Sequence, residues 1–153
     1  MKKITQKYFD LMISRGVTDF SDLDLTDIKA MGIDLLDAKF FNTVLKNVDF
    51  RQSKFKETVI GGSRITFKNC IMDNVIFRGC DLDYVGFLGC NLENSIFNYA
   101  TLSFVSFEKC NLAGSVFDEA EIDNCYIEGG DIIHGIFHKY ESETICNLSV
   151  ESN

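Results

Sequence analysis

An all-β solenoid, a rod of short stacked repeats, is the fold class this sequence predicts, and three observations predict it. Large apolar residues recur every five positions: from Phe67 the steps land on Met72, Phe77, Leu82, Phe87, Leu92, Phe97, Leu102, Phe107, Leu112, Phe117, Ile122, Ile127, Ile132 and Phe137. At 46% hydrophobic residues, chance would fill only about half of those positions, so the period is a repeat signature. A small or β-branched residue stands two places before nearly every centre, as at Cys70, Val75, Cys80, Val85, Cys90, Ser95, Ala100, Val105, Cys110, Ser115 and Ala120. The chain of 153 residues has no Pro and no Trp but 14 Phe, so one aromatic type is used over and over.

Taken from the N-terminus, the elements fall into three segments. Residues 1–16 are expected to form a helical cap, since open strand edges at the end of a solenoid need covering. Ile4, Tyr8, Leu11 and Met12 share one helical face, and Gly16 suits the terminator position. Residues 17–139 carry the repeat. Its upstream centres are Phe20, Leu25, Ala30, Leu35, Phe40, Leu45, Phe50, Phe55 and Ile60, Ala30 being the weakest. The step from Ile60 to Phe67 is two residues too long, which places a bulge or small loop at Gly61-Gly62-Ser63-Arg64, where paired glycines relax the backbone. Residues 140–153 leave the pattern and are expected to cap the far end or to associate, with Ile145-Cys146-Asn147-Leu148 as one displaced turn.

The triplets Cys80-Asp81-Leu82, Cys90-Asn91-Leu92 and Cys110-Asn111-Leu112 carry a resemblance to the pentapeptide-repeat family, over roughly residues 18–139. The resemblance implies a right-handed quadrilateral β-solenoid with four pentapeptides per coil, the centres and the small residues pointing inward. Such coils cannot bury an apolar face alone and must stack. The centres amount to about six coils and a rod of roughly 29 Å at about 4.8 Å per coil. Residues twenty apart then lie above one another, putting Phe centres on two opposite faces. Val tends to precede Phe and Cys or Ala to precede Leu, which is volume matching in a narrow interior.

A net charge of −8 argues against a general nucleic-acid binder. No run approaches the roughly 18 apolar residues of a membrane span. Thr5, Gln6, Lys7 and Asp10 interrupt what would be the apolar part of a leader, so the chain is expected to be unprocessed and cytoplasmic. The six cysteines follow the repeat rather than a disulfide framework: Cys70, Cys90 and Cys110 stack, Cys80 lies on another side, and Cys146 alone is expected to be accessible. His134 and His138 fall short of a metal-ligand set. No nucleophile, phosphate-loop or paired-carboxylate motif stands out, and a filled rod lacks a cleft. The expectation is a protein that is not an enzyme, with no cofactor and no metal.

Function is therefore sought on the outward positions. Ile76, Ile96, Val116 and Ile136 form an apolar column suited to docking another protein or to self-association as a homodimer. Asp81, Asp83, Glu121 and Asp123 cluster on one face, with Asp118 and Glu119 at the adjoining corner. A basic band (Lys39, Lys46, Arg51, Lys54, Lys56, Arg64 and Lys68) precedes an acidic far half. These features predict a non-enzymatic protein-protein interaction module of scaffold, immunity or effector type. The resemblance implies an alternative, a DNA-mimicking regulator of a type II topoisomerase that binds DNA gyrase in place of the duplex.

Overall fold

The computed structural model describes residues 1–55, 58–60 and 65–131. They form a right-handed quadrilateral β-solenoid, which with the rest of the repeat makes about six coils, closed at its start by a short helix. Every ladder is parallel. The first face is a five-stranded sheet of Leu45–Lys46, Ile65–Lys68, Val85–Leu88, Ser106–Asn111 and Tyr126–Asp131. The fourth face is a four-stranded sheet of Val59–Ile60, Asp81–Asp83, Thr101–Ser103 and Glu121–Asp123. On the second face single bridges join Lys29, Asp49, Ile71, Asn91 and Asn111, and on the third Asp34, Lys54, Ile76, Ile96 and Val116. Leu45 pairs with Phe67 but Phe67 pairs with Phe87, so the coil containing residues 61–64 is two residues longer than the next. Ile60 pairs with Leu82 and Ile65 with Val85, so the change of step falls between Ile60 and Ile65.

Each position of the five-residue unit has its own physical task. The centre and the residue two before it are buried throughout most of the rod, including the weak centre Ala30, beside which Ile28 is buried as well. Where the centre lost volume, its inward neighbour gained it. Among the described residues the one two after each centre turns the corner with positive φ, from Asp22 to Gly129, and most such corners are Asp, Asn or Gly. Those types tolerate the left-handed region. The residue before the centre, when it is Asp or Asn, accepts a hydrogen bond from the N–H two residues on in most coils: Asp19 from Ser21 at 3.0 Å, Asp24 from Thr26 at 2.9 Å, Asn111 from Ala113 at 3.1 Å. That local bond is the reason for the Asp or Asn in the repeat.

Small donors two before the centre complete the interior. The hydroxyls of Thr43, Thr58 and Ser115 donate to the carbonyls of Phe20, Leu35 and Leu92 in the coil below, at 3.0, 2.8 and 3.0 Å. The thiols of Cys90 and Cys110 do the same toward Phe67 and Phe87, at 3.2 and 3.3 Å, and that of Cys80 toward Phe55. The core itself is two ladders of rings. Phe67, Phe87 and Phe107 stack at 5.0 Å, and Phe77, Phe97 and Phe117 at 4.8 and 4.6 Å. The ladders meet edge to face across the rod, Phe97 standing near perpendicular to Phe87 and Phe107. That arrangement suits the ring quadrupoles.

The cap corrects part of the sequence expectation. Helix Gln6–Ser14 starts at Thr5, whose hydroxyl accepts from the Tyr8 N–H. It ends on Gly16 at φ 67, with the Gly16 and Val17 amides returning to Ile13 and Met12. This is the glycine terminator, closed by two backbone bonds. The buried face is Phe9 and Met12, however, and Tyr8 and Leu11 are 45% and 41% exposed. The reason is that Ile4 is not on the helix: it follows Lys2–Lys3, a strand that adds to Leu23–Asp24 and is buried from there. The helix consequently docks through Phe9, whose ring lies 5.7 Å from Phe20. Gln6 covers another open edge, its amide giving one bond to the Lys29 carbonyl and taking one from the Lys29 N–H, at 2.9 and 2.7 Å. The tail from residue 132, with Ile132, His134, Ile136, Phe137, His138 and Cys146, lies outside the described residues.

Two outcomes are expected. Phe97→Ala removes a fully buried ring that four neighbours contact, and should lower unfolding free energy by about 3–5 kcal/mol in a denaturant titration; a loss below about 1 kcal/mol would place Phe97 off the core. Asp49 is buried and receives Arg51 Nε at 3.0 Å and Nη2 at 2.7 Å. These bonds hold its carboxyl below the ordinary range despite the opposing effect of burial. A depressed pKa means stabilisation above the unfolded value of about 4 that is lost as pH falls through the folded value. The stability difference between wild type and Asp49→Asn should therefore be about 1 kcal/mol at neutral pH and vanish in acid. A difference unchanged in acid would detach the effect from ionisation.

Candidate functional site

The interior is filled, so binding chemistry has to lie on the outward columns. Each face offers two, one before and one after the centres. On the fourth face Asp81, Thr101 and Glu121 are in register in the first column, and Asp83, Ser103 and Asp123 in the second. The structure thus brings the four predicted carboxylates onto one flat sheet. They stand on alternate coils, about 9.6 Å apart along the rod, with neutral hydroxyl residues between. Asp118 is half-buried on the third face, and its Oδ1 has no hydrogen-bond partner among the described residues. Glu119 is exposed at the corner between that face and the fourth, at φ 57.

Ile76, Ile96 and Val116 are direct bridge partners on the third face, each half-buried by its neighbours, and Ile136 lies outside the described residues. The basic residues do not all share one face. Lys39 is on the fourth, Lys46 and Lys68 on the first, Arg51 on the second, and Lys54 on the third, while Lys56 and Arg64 are outside the described residues. The band encircles the rod, and Arg51 is engaged by Asp49 at 2.7 Å.

Two surface depressions lie on the first face. One, of about 470 Å³, is lined by Tyr84, Gly86, Phe104, Ser106, Glu108 and Tyr126. The other, of about 320 Å³, is lined by Val44, Lys46, Thr66 and Lys68 with Met1. Among the described residues no three His, Cys, Asp or Glu side chains are gathered around a common metal position. No described helix is long and apolar enough to cross a membrane.

The comparisons with known proteins agree with this geometry. A model of the pentapeptide repeat region matches residues 63–137, and one of eight pentapeptide copies matches residues 18–56. The chain belongs to the pentapeptide-repeat family. No curated protein matches it. Among solved structures it is similar to full-length QnrB1, a plasmid-mediated fluoroquinolone resistance protein, at 18% identity and a TM-score of 0.54, covering 73% of this chain and 62% of that one. This pentapeptide-repeat chain thus spans less than two thirds of QnrB1. It also resembles alr5209 from Nostoc PCC 7120 (15% identity, TM-score 0.44, 86% of this chain and 88% of that one). HetL, involved in heterocyst differentiation regulation in the cyanobacterium Nostoc sp. strain PCC 7120, matches at 12% identity and a TM-score of 0.39, over 83% of this chain and 81% of that one. Identities this low establish the fold alone.

Some surface residues of this pentapeptide-repeat rod escaped the sequence reading. Tyr84, Tyr99 and Phe104 occupy left-handed corners, at φ 54, 60 and 53, where bulky side chains are disfavoured. They are 49%, 56% and 45% exposed. Tyr84 and Phe104 stack at 4.6 Å along the corner between the fourth and first faces, and Arg78 lies over Tyr99 on the fourth face's other corner. The signal was available: these positions follow a five-residue series otherwise dominated by Asn, Asp and Gly.

Four of the five described thiols are interior fittings, and the fifth, Cys125, is half-buried rather than enclosed, against the expectation that every cysteine but Cys146 is packed inside. Cys70, Cys80, Cys90 and Cys110 are buried. The Cys110 thiol pulls Cys90 downward, but the Cys70 thiol and burial outweigh it and leave Cys90 pushed up to about 12. The Cys90 thiol and then burial push Cys110 up as well. Both stay protonated at neutral pH and so are poor nucleophiles. In the folded protein Ellman's reagent should leave Cys80, Cys90 and Cys110 unmodified and label them only after denaturation. Rapid native labelling of any of the three, located by mass spectrometry, would mean the interior opens.

Proposed function

We propose that this rod is a non-enzymatic protein-interaction module whose principal docking surface is the fourth face. One observation carries the reading: Asp81, Asp83, Glu121 and Asp123 stand in two in-register columns on one flat sheet, bordered on both edges by exposed aromatic corners. The acids confer charge selectivity, and Tyr84, Tyr99 and Phe104 supply the apolar area that anchors interfaces. Such a face fits a partner with a basic surface. The Ile76, Ile96 and Val116 column is a weaker candidate, because its side chains shield one another and leave less apolar area to bury.

Charge density favours a second reading. Four carboxylates lie within about 10 Å of rod, where duplex DNA presents about six charges. Mimicry of the duplex toward a type II topoisomerase such as gyrase is the form of this reading that the family resemblance supports. The two differ in salt response, since exposed charges are screened over about 10 Å at 0.1 M.

Immobilised wild type should capture a partner that Asp81→Lys/Asp83→Lys/Glu121→Lys/Asp123→Lys loses, with unchanged circular dichroism. Equal capture by both would remove the fourth face. In a gyrase supercoiling assay, inhibition that fades with salt supports mimicry; no effect at micromolar protein leaves docking of another protein.

A further inference from the structure

The outward column after the centres of the first face has an order that the fold does not need. It runs Lys46, Lys68, Leu88, Glu108, Glu128, each in direct parallel register with the next. Two lysines are stacked on each other at one end and two glutamates at the other. Like charges directly opposite on neighbouring strands are destabilising. The two ion pairs among the described residues lie elsewhere, at Lys3–Asp27 and Arg51–Asp49. Lys46, Lys68 and Glu128 are exposed, and Glu108 is half-buried. The column before the centres is small at its middle: Thr66, Gly86 and Ser106 are in register, and Tyr126 follows.

We propose that the first face is the interface of an antiparallel homodimer, its twofold axis lying along the strand Val85–Leu88. A rotation about that strand reverses the rod and keeps each column facing its own copy. Lys68 then meets Glu108 of the second copy, and Lys46 meets Glu128, so all four like-charge stacks become cross-paired. Leu88 meets Leu88, and Gly86, opposite Gly86, lets the sheets approach. Tyr126 comes over the depression lined by Val44, Lys46 and Thr66. Tyr84, at the corner leading into the central rung and 49% exposed, meets its own copy at the edge. A parallel arrangement would instead set the charged column against Thr66, Gly86 and Ser106 and pair nothing.

Size sets the strength. The five rungs span about 19 Å and a strand of four residues about 13 Å, below the roughly 800 Å² per partner of a standard interface. The dimer is weak, concentration-dependent and favoured at low salt. Its geometry also has a consequence: the axis is perpendicular to the fourth face, so the acidic faces of both copies turn to the same side and lie next to each other. The dimer itself stands independently of the docking proposed for the fourth face.

Sedimentation equilibrium over a concentration series tests it on the full chain. Wild type should dimerise. Lys46→Glu/Lys68→Glu and Glu108→Lys/Glu128→Lys should each dimerise at least about tenfold more weakly. An equimolar mixture of the two should form a heterodimer, and the chain carrying all four exchanges should regain the homodimer. Circular dichroism checks that each variant folds, and the mixture keeps the test decisive if a column of four like charges loosens one of them. A wild type that stays monomeric at every concentration overturns the proposal. So does dimerisation that persists in both double variants, which would put the contact on another face, or a mixture that stays monomeric with both chains folded.

Discussion

Everything in this molecule depends on parallel coils lying in register, one rung above another. The inter-coil backbone bonds hold neighbouring rungs about 4.8 Å apart, close to the 4.6–5.0 Å between stacked rings in the upper ladders. Phe fits because offset-stacked rings place their centroids about one rung apart. The cross-section is then fixed by how much volume the centre and its inward neighbour fill together, which is why Ala30 is accompanied by a buried Ile28. Close packing of this kind leaves little tolerance for a change in side-chain volume.

The same register turns outward residues into columns. A side chain on the surface of a globular protein has neighbours of many kinds, whereas here each outward residue faces the ones a coil below and a coil above. Identity therefore accumulates along the rod. Asn111 bonds Asn91 at 3.0 Å, and Asn42 bonds Asp22 at 2.7 Å, pairs that stabilise the corners and faces they sit on. Like charge stacked on the first face and spaced along the fourth is not offset by an ion pair among the described residues, although the Tyr126 hydroxyl donates to Glu128 at 2.9 Å.

The start of the rod shows how an open end is closed with few residues. Lys2–Lys3 supplies a short rung, the Gln6 amide imitates another, and Phe9 continues the ring ladder onto Phe20. Three different devices cover three different parts of one edge, two of them by backbone or amide hydrogen bonds and the third by ring packing.

By itself the sequence determined the repeat, the inward residues, the two-residue insertion and the presence of a helical cap, because each leaves a one-dimensional trace in the five-residue period or in its interruption. It also identified Asp81, Asp83, Glu121 and Asp123 as belonging to one face, since residues in one column differ by multiples of twenty and the two columns of a face by two. Tertiary structure decided what periodicity cannot carry. The helix turned Phe9 rather than Tyr8 inward because Ile4 follows the strand Lys2–Lys3 and is not on the helix, a choice made by docking and not by helical spacing. The basic band was dispersed around four faces because proximity in sequence becomes angular separation on a square rod. The opposed lysines and glutamates of the first face emerged only with the true register, because the insertion offsets Lys46 from Lys68 by two residues beyond the ordinary step. Register is set by long-range hydrogen bonds, and a linear pattern records it only where nothing interrupts the count.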